Sequence, residues 1–343
     1  MQKMLKAGIA ATIAVSSFAS IAKSINGAGA SFPAPVYRVW TYNYKQAKKV
    51  KVNYQSVGSG AGINQIKSKT VDFGASDKPL KKAELDKFGL VQFPMLMGGV
   101  VVVANIPGIK NNQLKLDGLT LAKIFSGEIR RWNHPTIVSM NLGTEIPAMP
   151  INVVHRSDGS GTTWIFTNYL CKVSPNWKKT IGCGKSVKWT AGYGGQKNPG
   201  VANNVKKLSG AIGYVEYTYA VEAKLNTIQL KNKAGKFVKP DIKSFQSAGA
   251  SADWENAPGY YMVLTNKAGA KSWPITGVTY ILMYKKQKNT AEAKSLLKYF
   301  DWCYKQGASV AEKLKYVPIP KSVIALVEKS WGKEITVNGK KVW

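Results

Sequence analysis

The sequence predicts an α/β protein arranged as two lobes, each discontinuous along the chain. Three observations carry this. Short apolar runs alternate with stretches of helical periodicity over the whole 343 residues. Several strand-to-helix junctions consist of small residues with Ser or Thr among them. Two long apolar runs, residues 93–105 and 273–284, have the length to pass from one lobe to the other and back. The chain is long enough for two medium domains or one large one. On this reading residues 23–102 and 277–343 form the first lobe and residues 103–276 the second.

Residues 1–22 read as an export signal rather than part of the fold. Lys3 and Lys6 supply the charged start, residues 7–22 are uncharged, small and apolar, and Ser20-Ile21-Ala22 offers small residues for cleavage. No cysteine stands near that point, so there is no lipid-anchor signal. No later run approaches the roughly 18 apolar residues of a membrane span. A soluble, exported protein is expected.

Taken in order, Gly27-Ala28-Gly29-Ala30-Ser31 leads into a helix that Pro35 suits at its first turn. Tyr37, Trp40 and Tyr44 recur on one face of it. Val50, Val52 and Tyr54 alternate as a strand. Gly58-Ser59-Gly60-Ala61-Gly62 is read as a turn before a helix at Ile63. Residues 71–77 form a short strand ending in Asp77. The run 93–105 is the first crossing, with Gly98-Gly99 as its flexure. A helix over residues 119–125 and an Arg130-Arg131-Trp132 loop follow. Residues 151–154 form a buried strand, and residues 163–170 fit the inner face of a helix. Residues 189–195 are glycine-rich but lack the Lys-Ser/Thr ending of a nucleotide loop, and read as a plain loop. Residues 210–215 are a strand, 273–284 the return crossing and 291–305 a helix. Asn338-Gly339 marks a closing hairpin.

A formal net charge of +31 would normally point to nucleic acid or an anionic surface. Here only Arg38, Arg130, Arg131 and Arg156 among 49 basic residues are arginine, and the lysines are scattered without a long block. That pattern reads as a solvated shell, with nucleic-acid binding set aside as a main role. Three cysteines permit one disulfide. Cys171 and Cys183 flank a short segment whose closure costs little entropy, so they are the expected pair, with free packed thiols as the alternative. Cys303 lies in an aromatic helical run and reads as buried. The two histidines, His134 and His155, lie apart with no ligand cluster, so no metal site is expected.

The stretch with chemistry is Arg156-Ser157-Asp158-Gly159-Ser160-Gly161-Thr162. A strand, a small-residue turn and a helix aim free backbone N–H groups and the positive end of the helix dipole at an oxyanion. Ser160 and Thr162 add hydroxyl donors, Gly161 allows close approach, and Arg156 brings a planar fork. Ser31 and Ser59 sit at two similar junctions, and ligands of open α/β sheets bind beyond the carboxyl ends of strands, where such turns lie. Asp77 is the oddity: beside an anion a carboxylate repels, unless the anion carries a proton to donate, as hydrogen phosphate does and sulfate at neutral pH does not. A cap after the strand accounts for Asp77 equally well. Asp158 either orients Arg156 or caps the helix that follows. A serine hydrolase would need Gly-x-Ser-x-Gly and a histidine base, and neither Ser59 nor Ser160 has that context. A phosphatase would need a metal cluster or an aspartate nucleophile. Binding without catalysis needs only donors and a shape.

Four segments together resemble the periplasmic phosphate-binding proteins of phosphate-specific ABC importers. They are residues 27–35, 71–77, 156–162 and Gly210-Ala211-Ile212-Gly213-Tyr214-Val215-Glu216-Tyr217, and the likeness runs from about residue 25 to the end. The resemblance implies a type II two-lobed binding-protein fold, each lobe a mixed sheet flanked by helices, closing by a hinge around one dehydrated phosphate. It implies a monomeric periplasmic carrier that delivers phosphate to a membrane permease, with no cofactor and no catalytic residues. Matched by motif, the phosphate ligands would be Ser31, Phe32 through its backbone N–H, Ser59 and Asp77 from the first lobe. The second would give Arg156, Ser160, Gly161 through its N–H, and Thr162, with Asp158 holding Arg156. Ser31 stands where the family commonly has threonine, and Gly60 where it has a small polar residue. The cysteine pair and the lysine content are not family hallmarks. The alternatives are a carrier for another tetrahedral oxyanion (sulfate or molybdate), a secreted phosphatase on the same scaffold, and a binder of anionic polymers through the lysine coat.

Overall fold

In the computed structural model, which describes residues 24–343, the strands that position the site belong to one long, mixed sheet. Across it run Val52–Ser56, Ile25–Gly29, Phe73–Ser76, Thr276–Tyr284, Leu90–Asn105, Ala211–Glu216, Asn152–Arg156 and Tyr193–Gly195. The 16-residue strand Leu90–Asn105 joins the two halves. It pairs antiparallel with Thr276–Tyr284 as far as Gly99, and from Val100 onward with Ala211–Glu216. The partner therefore changes just after the Gly98-Gly99 pair. Val100, Val101, Val102 and Val103 are fully buried, as a strand covered on both faces requires.

Two parallel groups flank this strand. Ile25–Gly29 pairs parallel with both Val52–Ser56 and Phe73–Ser76, and Asn152–Arg156 pairs parallel with both Ala211–Glu216 and Tyr193–Gly195. Parallel neighbours need crossover connections, which here are helices such as Ala34–Lys48, Ser59–Lys67, Gly161–Val173 and Lys197–Lys207. The strands of each group consequently end on the same side.

Aromatic packing seats the outer helices. Tyr37, Trp40 and Tyr44 form the inner face of Ala34–Lys48, where Tyr44 meets Tyr299 and Trp302 of the helix Thr290–Lys305 edge-on. Phe300 packs against Phe73 and Phe93, and Phe93 against Trp331. Burying one such Phe contributes roughly 1.5–3 kcal/mol. Three buried indoles keep their N–H groups satisfied, Trp40 donating to Gly307 O, Trp132 to Gly210 O and Trp273 to Val100 O, each at 2.9 Å, whereas Trp331 Nε1 is buried without a partner among the described residues.

The structure departs from the sequence reading at several elements. The glycine run at 58–62 is not a turn before a helix, because the helix begins at Ser59 and the run forms its first turn. Residues 193–195 are an edge strand rather than a plain loop. Pairing with Asn152–Arg156 decides this, and no local propensity announces it. The helix Lys197–Lys207 follows, although Pro199 and Gly200 near its start favour a loop. The buried strand of the central motif runs Asn152–Arg156, one residue later than expected and on to the arginine itself. The chain closes on a hairpin, Thr336–Val337 with Lys340–Lys341, and Asn338 and Gly339 have φ of 49° and 77° as a tight turn requires. The expected leader, residues 1–22, lies outside the described residues. Among the described residues no helix is long and apolar enough to cross a membrane.

Candidate functional site

Each parallel strand delivers one piece of the site at its carboxyl end. Ser31 and Phe32 follow Ile25–Gly29, Ser59 follows Val52–Ser56, and Asp77 directly follows Phe73–Ser76. From the other half, Arg156 ends its strand, Ser160, Gly161 and Thr162 open the next helix, and Asn198 opens the helix after Tyr193–Gly195. The antiparallel strand between the groups places the two sets of carboxyl ends opposite each other. Ser31, Phe32, Ser59, Asp77, Arg156, Ser160 and Thr162 are all buried, and the arrangement is closed.

The closure is direct. Gly60 N donates to Gly159 O at 2.7 Å, joining the first turn of one helix to the turn before another. A Cβ at Gly161 would fall well inside contact distance of Ser59 Oγ and Asp77 Oδ2, so only glycine lets this helix start approach the opposite half. Gly58, with φ of 92°, lies against Asp158 in the same way.

Arg156 is held from one side. Its Nε donates to Asp158 Oδ1 at 2.7 Å and its Nη2 to Asp158 Oδ2 at 2.6 Å, while Nη1 is buried without a partner among the described residues. Of the two roles open to Asp158, the structure shows the paired grip on Arg156. The helix beginning at Gly161 is capped instead by Ser160, which accepts from Thr163 N at 2.9 Å. Asp158 also accepts from Lys197 N at 2.9 Å, the first residue of the helix that carries Asn198. Burial opposes its charge, but Arg156 and that amide hold its carboxyl below the usual range.

Asp77 faces Arg156 from the other half. Its Oδ2 accepts from Ser59 Oγ at 3.3 Å and its backbone N donates to Ser59 Oγ at 3.2 Å. Its Oδ1 is buried without a partner among the described residues. Burial pushes its carboxyl up to about 7, against the pull of the neighbouring Thr279 hydroxyl, Arg156 and Ser59. Neither oxygen accepts from a backbone amide of the following turn, so Asp77 is not its cap; Ser76 Oγ serves there, accepting from Lys78 N.

The remaining donors are partly committed in a revealing way. Ser160 Oγ already accepts one bond, and the first N–H groups of the helix at Gly161 and Thr162 have no intrahelical acceptor. Ser31 Oγ and Thr162 Oγ1 both accept from Asn198 Nδ2, at 2.9 and 3.2 Å. Asn198 is the member of the cluster that the sequence did not disclose. The only available signal was an Asn among Gly and Pro, which reads as loop.

The histidines lie outside this cluster. His155 stacks on Trp189 with ring centroids 4.6 Å apart, and burial lowers its affinity for a proton. His134 caps the short helix Pro135–Ser139. Among the described residues no group of His, Cys, Asp or Glu is placed to hold a metal ion. Cys171 and Cys183 are disulfide-bonded, and Cys303 is a buried free thiol.

A buried site rich in donors, made by two lobes that meet over it, defines a substrate-binding protein of the two-lobed class. A model of the PBP superfamily domain matches residues 14–305. The phosphate-binding protein PstS of Pasteurella multocida (strain Pm70) is 48% identical over 343 residues, covering 99% of this chain and 100% of that protein. PstS of Haemophilus influenzae (strain ATCC 51907 / DSM 11121 / KW20 / Rd) is 49% identical over 314 residues, 92% of this chain and 94% of that one. The chain belongs to the PBP superfamily and, within it, to the PstS phosphate-binding protein family. Solved structures support the fold. A phosphate-binding protein from Stenotrophomonas maltophilia matches with a TM-score of 0.70 at 22% identity, over 90% of this chain and 94% of its own. A high-affinity periplasmic phosphate-binding protein bound with phosphate matches with a TM-score of 0.72 at 22% identity, over 92% and 96%.

Proposed function

We propose that this chain binds one inorganic phosphate and delivers it to the permease of an ABC-type phosphate importer, without chemical conversion. The observation that carries the reading is the pairing of two buried, unpartnered groups of opposite character, Arg156 Nη1 and Asp77 Oδ1, within one ring of donors. A tetrahedral oxyanion with a proton satisfies both. Arg156, the Ser31, Ser160 and Thr162 hydroxyls, and the N–H groups of Phe32 and Gly161 would donate to its oxygens, Ser59 would turn its hydroxyl proton from Asp77 to the anion, and Asp77 would accept the anion's proton. A fully dehydrated anion needs this many donors, because an unmet oxygen in a dry site costs a large part of its hydration energy.

Closure follows from the same contacts. Residues 23–102 with 277–343 would form one lobe and residues 103–276 the other, hinged where the crossing strand changes partner. Phosphate touches both lobes only when they are together, and that difference in contact is what shifts the equilibrium to the closed form. An export signal over residues 1–22 and a monomeric periplasmic carrier complete the proposal.

Calorimetric titration of phosphate-stripped protein with phosphate and then sulfate at pH 7 tests it. One tight phosphate site with no response to sulfate is the expected result. An equal response to both anions removes Asp77 from its role, and silence towards both ends the proposal. Release of product from a chromogenic phosphate ester would favour the phosphatase reading instead.

A further inference from the structure

Asn198 is completely buried, and its side-chain amide can face only one way. Its Oδ1 lies 2.9 Å from the backbone N of Glu216. A backbone N–H can only donate, so the oxygen must stand there and the Nδ2 group on the other side. The two Nδ2 protons then go to Ser31 Oγ and Thr162 Oγ1, which come from opposite halves of the site. The backbone N of Asn198 donates to Ser31 Oγ as well, at 3.3 Å.

These bonds leave the hydroxyls little choice. A serine oxygen has two lone pairs and one proton, and at Ser31 both lone pairs receive N–H donors. The hydroxyl proton must be given to something else. Thr162 has one lone pair filled in the same manner. Ser31 is further pinned by its carbonyl, which accepts from Tyr219 OH at 2.6 Å and from Ala34 N at 3.2 Å.

We propose that Asn198 is a positioning residue that fixes the polarity of Ser31 and biases that of Thr162, turning them into donors for the anion, and that its hold on Ser31 exists only when the lobes are closed. This deepens the phosphate-binding reading and rests on it. A freely rotating hydroxyl is neutral between donors and acceptors. One whose lone pairs are both occupied, as at Ser31, selects for an acceptor-rich ligand, and Thr162, with one filled, is biased the same way. The bond from Asn198 to Ser31 also spans the two halves, so it is lost on opening and contributes to closure.

A double-mutant cycle separates this role from plain structural support. Phosphate affinity is measured by calorimetry for wild type, N198A, S31A/T162V and the combined variant, each stripped of phosphate. N198A in the native background is expected to weaken binding by about 10- to 100-fold, as for loss of one or two buried hydrogen bonds. In S31A/T162V the same change should cost less than about threefold, because the hydroxyls it organised are gone. Equal losses in both backgrounds would overturn the proposal, since a structural residue costs the same in each. N198D keeps an oxygen for Glu216 N and serves where N198A does not fold. At pH 8 its second oxygen would accept from Ser31 and Thr162, so its loss must again shrink in S31A/T162V; an undiminished loss overturns the proposal. Wild type that binds no phosphate sinks the proposed function itself, whereas wild type that binds with additive losses sinks only this inference.

Discussion

Asp158 grips Arg156 along one edge of the guanidinium, with Nε on Oδ1 at 2.7 Å and Nη2 on Oδ2 at 2.6 Å, and this leaves Nη1 as the free donor. Arg156 is buried to 3% exposure, so its charge is stabilised by that grip and by whatever anion meets Nη1. Arg156→Lys keeps the charge and loses the fork. A single ammonium cannot both satisfy Asp158 and reach the site, so phosphate affinity should fall by more than about 100-fold. Asp158→Asn should fall less, by roughly tenfold, because the arginine keeps its place and loses only part of its partner. Titration calorimetry on both variants checks the order, and Asp158→Asn being the worse of the two would contradict it.

Gly161 sits where a side chain has no room. A Cβ there would overlap Ser59 Oγ and Asp77 Oδ2 of the opposite half. Gly161→Ala should therefore leave each half folded and hinder their meeting. The expected outcome is a thermal midpoint of the ligand-free protein within a few degrees of wild type, with phosphate affinity reduced more than about tenfold. Small-angle scattering should show less compaction on adding phosphate than in wild type. Unchanged affinity would mean that the close approach is not needed for binding.

Much of this arrangement was legible in the sequence, because short-range signals carried it. The small-residue turns at Ser31 and Ser160, the aromatic face of Tyr37, Trp40 and Tyr44, and the crossing run with Gly98-Gly99 are local patterns with local consequences. Asp158 was legible only as an alternative, since choosing between arginine partner and helix cap needs to know that Ser160 takes the capping position. Asn198 was not legible at all. Its role depends on Glu216, Ser31 and Thr162, which lie 18, 167 and 36 residues away in the chain. The edge strand Tyr193–Gly195 was missed for the same reason: glycine has poor strand propensity, and pairing with Asn152–Arg156 overrides it.

The disulfide closes a short loop on the helix that presents the site. Cys171 lies near the end of Gly161–Val173, and Cys183 stands 12 residues further on. Just beyond it, Gly184 exchanges hydrogen bonds with Thr167, and Lys185 O accepts from Ser160 N at 2.9 Å. Replacing both cysteines by serine should lower unfolding free energy by about 3 kcal/mol on the loop-entropy scale. Phosphate affinity should change by less than about threefold at 25 °C, because Thr167 and Ser160 hold the segment independently. Urea unfolding with and without reductant reads the first effect and calorimetry the second. A large affinity loss with little loss of stability would reassign the bridge from the fold to the site.

Asp77 contributes to the pH behaviour of the closed arrangement when no anion is present. Its carboxyl is raised from 3.8 to about 7, chiefly by burial. The folded protein therefore binds more protons than the unfolded chain between those values, and stability must fall as pH rises through that interval. Below about 3.8 the group is protonated in both states and the penalty vanishes; above about 7 it is fully present, on the order of 4 kcal/mol. Asp77→Asn keeps the shape and removes the titration. In phosphate-free buffer the variant should melt above wild type at pH 8, with the difference closing as the pH approaches 4. A difference that does not change with pH would show that Asp77 is not held away from water. Binding should move the opposite way: the amide can donate to an unprotonated oxyanion, so Asp77→Asn should lose phosphate affinity and acquire a measurable response to sulfate. On the proposed reading, the same carboxylate that costs the empty protein stability would be what makes a proton on the ligand worth having.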